Sequence, residues 1–101
     1  MNRNIVVKNA GTKKVYALRS ISSLHEKKLL IGQLYFGFYF KKINEFNIES
    51  SATWNINNVC FESENVLFFS CDIDSVNTGH KTEKIKIDLQ KGEKIQNEDE
   101  F

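Results

Sequence analysis

Along most of this chain apolar and polar residues alternate with a period of two, the pattern of strands that bury one face. Ile5, Val6 and Val7 predict a short strand over residues 4–8, and Asn9-Ala10-Gly11 supplies turn chemistry. Residues 14–21 set Val15, Ala17 and Arg19 against Tyr16, Leu18 and Ser20, which predicts a second strand. Ser23 followed by Glu26 fits a capping box, and a one- or two-turn helix over 23–31 is one option. Leu24, Lys27, Lys28 and Ile31 make a poor apolar stripe, however, so a polar turn over 22–28 is the preferred reading.

The strongest strand signal lies in residues 29–43. Leu34, Phe36, Phe38 and Phe40 fall on one face and Tyr35, Gly37 and Tyr39 on the other, which predicts a central strand with phenyl rings inward and tyrosines toward water. Gly37 marks a bend or a close approach within it. Residues 53–74 predict a hairpin that turns at 62–65, with Phe61 opposite Val66. In that register Trp54, Ile56, Cys60, Leu67, Phe69, Cys71 and Ile73 share the inner face with Asn58, while Thr53, Asn55, Asn57, Ser70, Asp72 and Asp74 face out, with Val59, Phe61, Val66 and Phe68 near the turn. A loop over 75–82 leads to a last strand, 83–89, with Ile85, Ile87 and Leu89 inward.

Together these elements predict an all-β fold, a single-domain antiparallel β-sandwich, half-barrel or small barrel of about six or seven strands. The β domain is expected over residues 1–91. Residues 92–101, rich in Glu and Asp, form an acidic tail that is frayed or folds against a partner. Composition supports the strand reading: eight Phe, three Tyr and one Trp accompany abundant Val and Ile, and proline is absent.

Cys60 and Cys71 fall about four residues apart along the predicted hairpin, ~13 Å at strand rise, and a disulfide needs Cα atoms within ~7 Å. Both are therefore expected to be reduced, buried and structural, as suits a reducing compartment. The first eight residues lack the apolar stretch of a secretory signal. The longest apolar-rich run, 29–40, spans twelve residues, against the ~20 needed to cross a bilayer as a helix. A soluble, cytoplasmic protein is expected.

Charge changes the picture more than composition does. The formal total is +1, but residues 1–45 carry nine basic side chains against two acids, and residues 46–101 carry five lysines against eleven acids. A split of +7 and −6 points to a charged macromolecular partner.

Catalytic chemistry finds little support. His25 and His80 both fall in expected turns outside any recognisable motif, and cysteines placed in a core would not ionise readily. The stretch Asp72 to Glu83 matches a calcium loop at its first, third and last positions, but Val76 stands where an oxygen ligand is needed and Asn77 where glycine makes the turn. Paired zinc-ligand spacing is missing. No enzyme activity, metal or cofactor is expected.

Three binding readings remain. Lysine pairs at 13–14, 27–28 and 41–42, with Tyr16, Tyr35, Phe36, Phe38 and Tyr39, could bind single-stranded nucleic acid, though such pairs also protect strand ends and the acidic second half would repel phosphate. A small β-barrel could carry an apolar or sugar ligand, lined by Tyr35, Gly37, Tyr39 and Trp54. The sharpest lead is an acidic face in or beside the hairpin: Glu62, Glu64, Asp72 and Asp74, with Asn55 and Asn57, and Glu49 close by. The structural alternative pairs Asp72 and Asp74 with Lys84 and Lys86 on the next strand.

In size, single β-domain, cytoplasmic character and lack of catalytic groups the chain resembles immunity proteins of bacterial contact-dependent growth inhibition toxin systems. The resemblance implies one-to-one binding to a cognate protein toxin, a nuclease with a basic active site, and neutralisation by blocking that site. Glu62, Glu64, Asp72, Asp74, Asn55 and Asn57 would then form the partner-binding face.

Overall fold

The computed structural model describes residues 3–49 and 51–95. Its strands run β1 Arg3–Lys8, β2 Val15–Ser22, β3 Lys27–Tyr35, β4 Tyr39–Ile48, β5 Thr53–Ser63, β6 Val66–Ser75, β7 Gly79–Asp88 and β8 Glu93–Lys94. They form two four-stranded sheets in the orders β1-β2-β3-β4 and β5-β6-β7-β8, and every pair is antiparallel. The fold is thus all-β and sandwich-like, two consecutive meanders laid face to face. No described helix is long and apolar enough to cross a membrane.

Alternation dictates which residues meet between the sheets. Leu18, Leu29 and Ile31 of the first sheet pack with Leu67, Phe69, Ile85 and Ile87 of the second, all at most 5% exposed. Ile5, Val7, Ile43, Phe46, Trp54, Ile56, Val59, Phe61 and Leu89 close the margins of this core. Full burial of each such side chain contributes about 1.5–3 kcal/mol, and this layer holds the sheets together.

The connections use local polar chemistry. Asn9 accepts hydrogen bonds from the amides of Gly11 and Thr12 at 2.9 and 3.1 Å, and its side-chain amide donates to the Glu64 carbonyl, tying the β1–β2 turn to the β5–β6 turn. Between β2 and β3 the preferred polar turn is present: Ser23 and Glu26 bond reciprocally through backbone and hydroxyl. The loop expected over 75–82 is shorter. Residues 76–78 turn, and β7 starts at Gly79. The sheets are joined through residues 49–52, where the Glu49 carboxylate accepts bonds from Ser51, Ser75 and Asn77 at 2.6, 2.9 and 2.7 Å. Those bonds, with Ser51 the largest influence, hold its pKa below the usual carboxylate value. Glu49 therefore fastens the crossing to the β6–β7 turn rather than joining an acidic face.

Two expectations need correction. Leu34 to Phe40 is not one central strand: Phe36, Gly37 and Phe38 form the turn between β3 and β4, with φ of 58° and 80° at the first two. Phe36 and Phe38 are 89% and 77% exposed instead of inward. Phe40 instead covers the outer face, where its ring fills the space left by Gly32 and carries the Arg19 guanidinium at 4.3 Å.

The second correction concerns Cys60. The predicted register holds from Thr53↔Asp74 to Asn57↔Ser70, then shifts through bulges to Cys60↔Phe68 and Ser63↔Val66. Asn58 supplies the left-handed conformation, φ 55°, that takes up the first slip. Val59 and Phe61 consequently turn inward onto the core and Cys60 turns out, exposed. Cys71 stays buried, and desolvation, followed by the charges of Glu83 and Asp72, pushes its thiol up to about 11. A thiol-disulfide reagent should therefore titrate one cysteine in the native protein. Cys60→Ser should remove that reactivity and Cys71→Ser should leave it; reaction of both thiols before unfolding would overturn the assignment.

Beyond Gly92, Glu93 and Lys94 pair with β7 and the Ile95 amide donates to Lys86, so the acidic tail begins within the second sheet. Residues 96–101 of that expected tail lie outside the described residues.

Candidate functional site

The outer face of the second sheet follows from its inner one. Because Trp54, Ile56, Cys71 and Ile73 point toward the first sheet, Asn55 and Asn57 of β5 and Asp72 and Asp74 of β6 must point away. β7 adds His80 and Thr82, opposite Asp74 and Asp72.

These side chains are fixed by one another. Asp72 accepts a bond from Thr82 Oγ1 at 2.6 Å and from Asn57 Nδ2 at 2.8 Å. The two bonds, Thr82 first, hold its carboxyl below the usual aspartate range, so it is ionised at neutral pH. His80 Nδ1 lies 2.7 Å from Asp74 Oδ1, with both side chains more than half exposed. Such an open pair contributes little stability. Thr53, Trp54, Asn55, Asp72, Asp74 and His80 line one shallow depression on this face.

The structure thus brings together four of the six expected partner-binding residues: Asn55, Asn57, Asp72 and Asp74. Glu62 lies nearer the β5–β6 turn, paired with Lys86 at 2.9 Å. Glu64 is off the face altogether, in the turn beside Gly11 of the first sheet. The alternative lysine pairing does not form either. Lys84 stands opposite Ser70 and Lys86 opposite Phe68, so the aspartates meet Thr82 and His80. The calcium-like spacing is likewise divided, since Glu83 pairs across from inward-facing Cys71 while Asp72 faces out.

The carrier reading placed Tyr35, Gly37, Tyr39 and Trp54 around one ligand. Trp54 instead borders a cleft of ≈ 230 Å³ between the sheets with Ile5, Leu18 and Lys27, at the end of the first sheet opposite the 35–39 turn. A second cleft, of ≈ 250 Å³, opens along the other margin beside Phe46 and Ile73. Both fall below the usual ~300–1,000 Å³ of small-molecule sites.

The charge split has become a layered one. Residues 3–48, which make the first sheet, hold nine bases against two acids, and residues 49–95 hold five lysines against eight acids. Sequence periodicity could not reveal the exposed aromatic turn, although Gly37 was its signal.

The chain matches no protein-family model, no curated protein and no solved structure.

Proposed function

We propose that this protein is a non-catalytic binding protein whose acidic sheet covers a basic surface on a protein partner, as an immunity protein covers the active site of a nuclease toxin. The observation that carries the reading is the segregation of charge by layer. The second sheet is net negative and presents Asp72 and Asp74 from a rigid, hydrogen-bonded frame around a shallow depression. Negative charge fixed on one face attracts a basic cleft over several ångströms, speeds docking and disfavours wrong partners. The frame also limits the side-chain ordering lost on binding.

The test uses Asp72→Asn with Asp74→Asn. With a cognate basic toxin the pair should slow association by roughly tenfold at low salt and flatten its salt dependence. Glu64→Gln, off the face, should leave both unchanged. A double variant that binds and protects like the parent would refute the reading.

A further inference from the structure

The β3–β4 hairpin ends in a group of rings of which three are more than half exposed. Phe36 and Phe38 are 89% and 77% exposed, and Tyr39 behind them is 56% exposed. Tyr35 and Tyr39 flank the turn with ring centroids 6.2 Å apart. Apart from its two chain neighbours, nothing lies within 4 Å of where a Cβ on Gly37 would sit, so Gly37 itself is not packed on the rest of the protein. Phe36 also holds φ 58°, a left-handed conformation unfavourable for a phenylalanine, and Asn-Gly is the dipeptide such a turn prefers. A strained aromatic left 89% exposed is poorly explained by stability.

The charge behind the tip indicates what it meets. Lys41 and Lys42 follow on β4, and Lys13 and Lys14 lie at the same end of the first sheet, because Val15 pairs with Leu34; all four are exposed. Lys42 also bonds Glu45. Moving back from the tip, the order is phenylalanine, tyrosine, lysine. That order matches the depth profile of a lipid leaflet, with acyl chains, interfacial aromatic belt and anionic headgroups. Lys8, paired with Val15, adds a fifth base at this end, whereas Lys27 and Lys28 lie at the far end of the sheet, and the acidic sheet is the other layer. Stacking on a nucleic-acid strand would instead call for rings spread along a sheet surface.

We propose that the 35–39 hairpin tip inserts Phe36 and Phe38 into the interface of an anionic phospholipid membrane, with Lys13, Lys14, Lys41 and Lys42 holding the headgroups. The site is separate from the acidic face and does not depend on its role.

Flotation of the whole protein with vesicles of phosphatidylcholine, with and without phosphatidylserine, tests this. The protein should float with the anionic vesicles and release as salt rises. Phe36→Asn with Phe38→Ser should weaken binding at least roughly tenfold, while the melting temperature stays level or rises because asparagine tolerates the turn. Lys41→Gln should weaken it about fivefold. Asp72→Asn with Asp74→Asn should float like the parent, which separates this surface from the acidic one. No flotation of the parent with anionic vesicles, as expected if the tip instead fills a groove on a protein, would overturn the proposal. So would equal flotation of the double phenylalanine variant.

Discussion

Phe69→Ala should destabilise the protein by about 3–5 kcal/mol, the loss typical of a buried aromatic ring that leaves a cavity. Phe69 is fully buried on β6, an interior strand of its sheet, with Ile85 beside it. Its ring meets residues of both sheets in the central cluster, so neither layer relaxes easily into the space. A domain of this length has about 5–15 kcal/mol of stability in all, and 1 kcal/mol corresponds to roughly 4–8 °C in Tm. The melting temperature should therefore fall by more than about 12 °C. Phe68 offers an internal control. It is adjacent in sequence but points outward opposite Cys60 and Lys86, and is half-buried. Phe68→Ala should cost under about 1.5 kcal/mol. Equal losses in the two variants, measured by denaturant unfolding, would contradict the facing of β6.

The second large effect is expected at Gly32. A Cβ there would lie 2.5 Å from the Lys41 carbonyl oxygen and 2.6 Å from Phe40 Cζ. The ring could swing aside, at the loss of its stacking under Arg19. The carbonyl belongs to the ladder between β3 and β4, next to the bulge at Ile31/Gly32, and cannot move without breaking register. Gly32→Ala should cost about 2–3 kcal/mol, and Phe40→Ala in the same chain should recover only part of it. Wild-type stability in Gly32→Ala would show that the backbone approach is not this close.

Most of the fold was legible because burial is one-sided and side chains alternate. The inward placement of Ile56, Leu67, Cys71 and Ile87 follows from parity alone once a strand's register is known. Parity fails where the register slips. Asn58 adds a residue to β5, which exchanges the roles of Cys60 and Phe61 without any change in the local alternation. At Phe36 and Phe38 the failure was different. A period of two continues unbroken across a short turn whose residues are all aromatic or glycine, so hydrophobicity mimicked a core strand. Gly37 carried the true signal, as Gly79 and Gly92 do at later turns with φ of 76° and 73°. Parity also placed Asn55, Asn57, Asp72 and Asp74 together correctly. Their partners, Thr82 and His80, depend on where β7 begins, and the longer expected loop had hidden that.

The crossing at residues 49–52 has a topological consequence. Among the described residues every strand pair lies within one half of the chain, so each sheet is a local meander, and the halves meet through side chains and that short tether. The molecule is in effect a complex between two oppositely charged fragments whose effective concentration is set by a connector of a few residues. For short tethers that concentration is in the millimolar range, and it favours closure within one chain. The same contacts would form between the first sheet of one copy and the second sheet of another, so the tether decides between monomer and exchanged dimer. In this view Glu49, which pins the crossing to the β6–β7 turn, guards the assembly state.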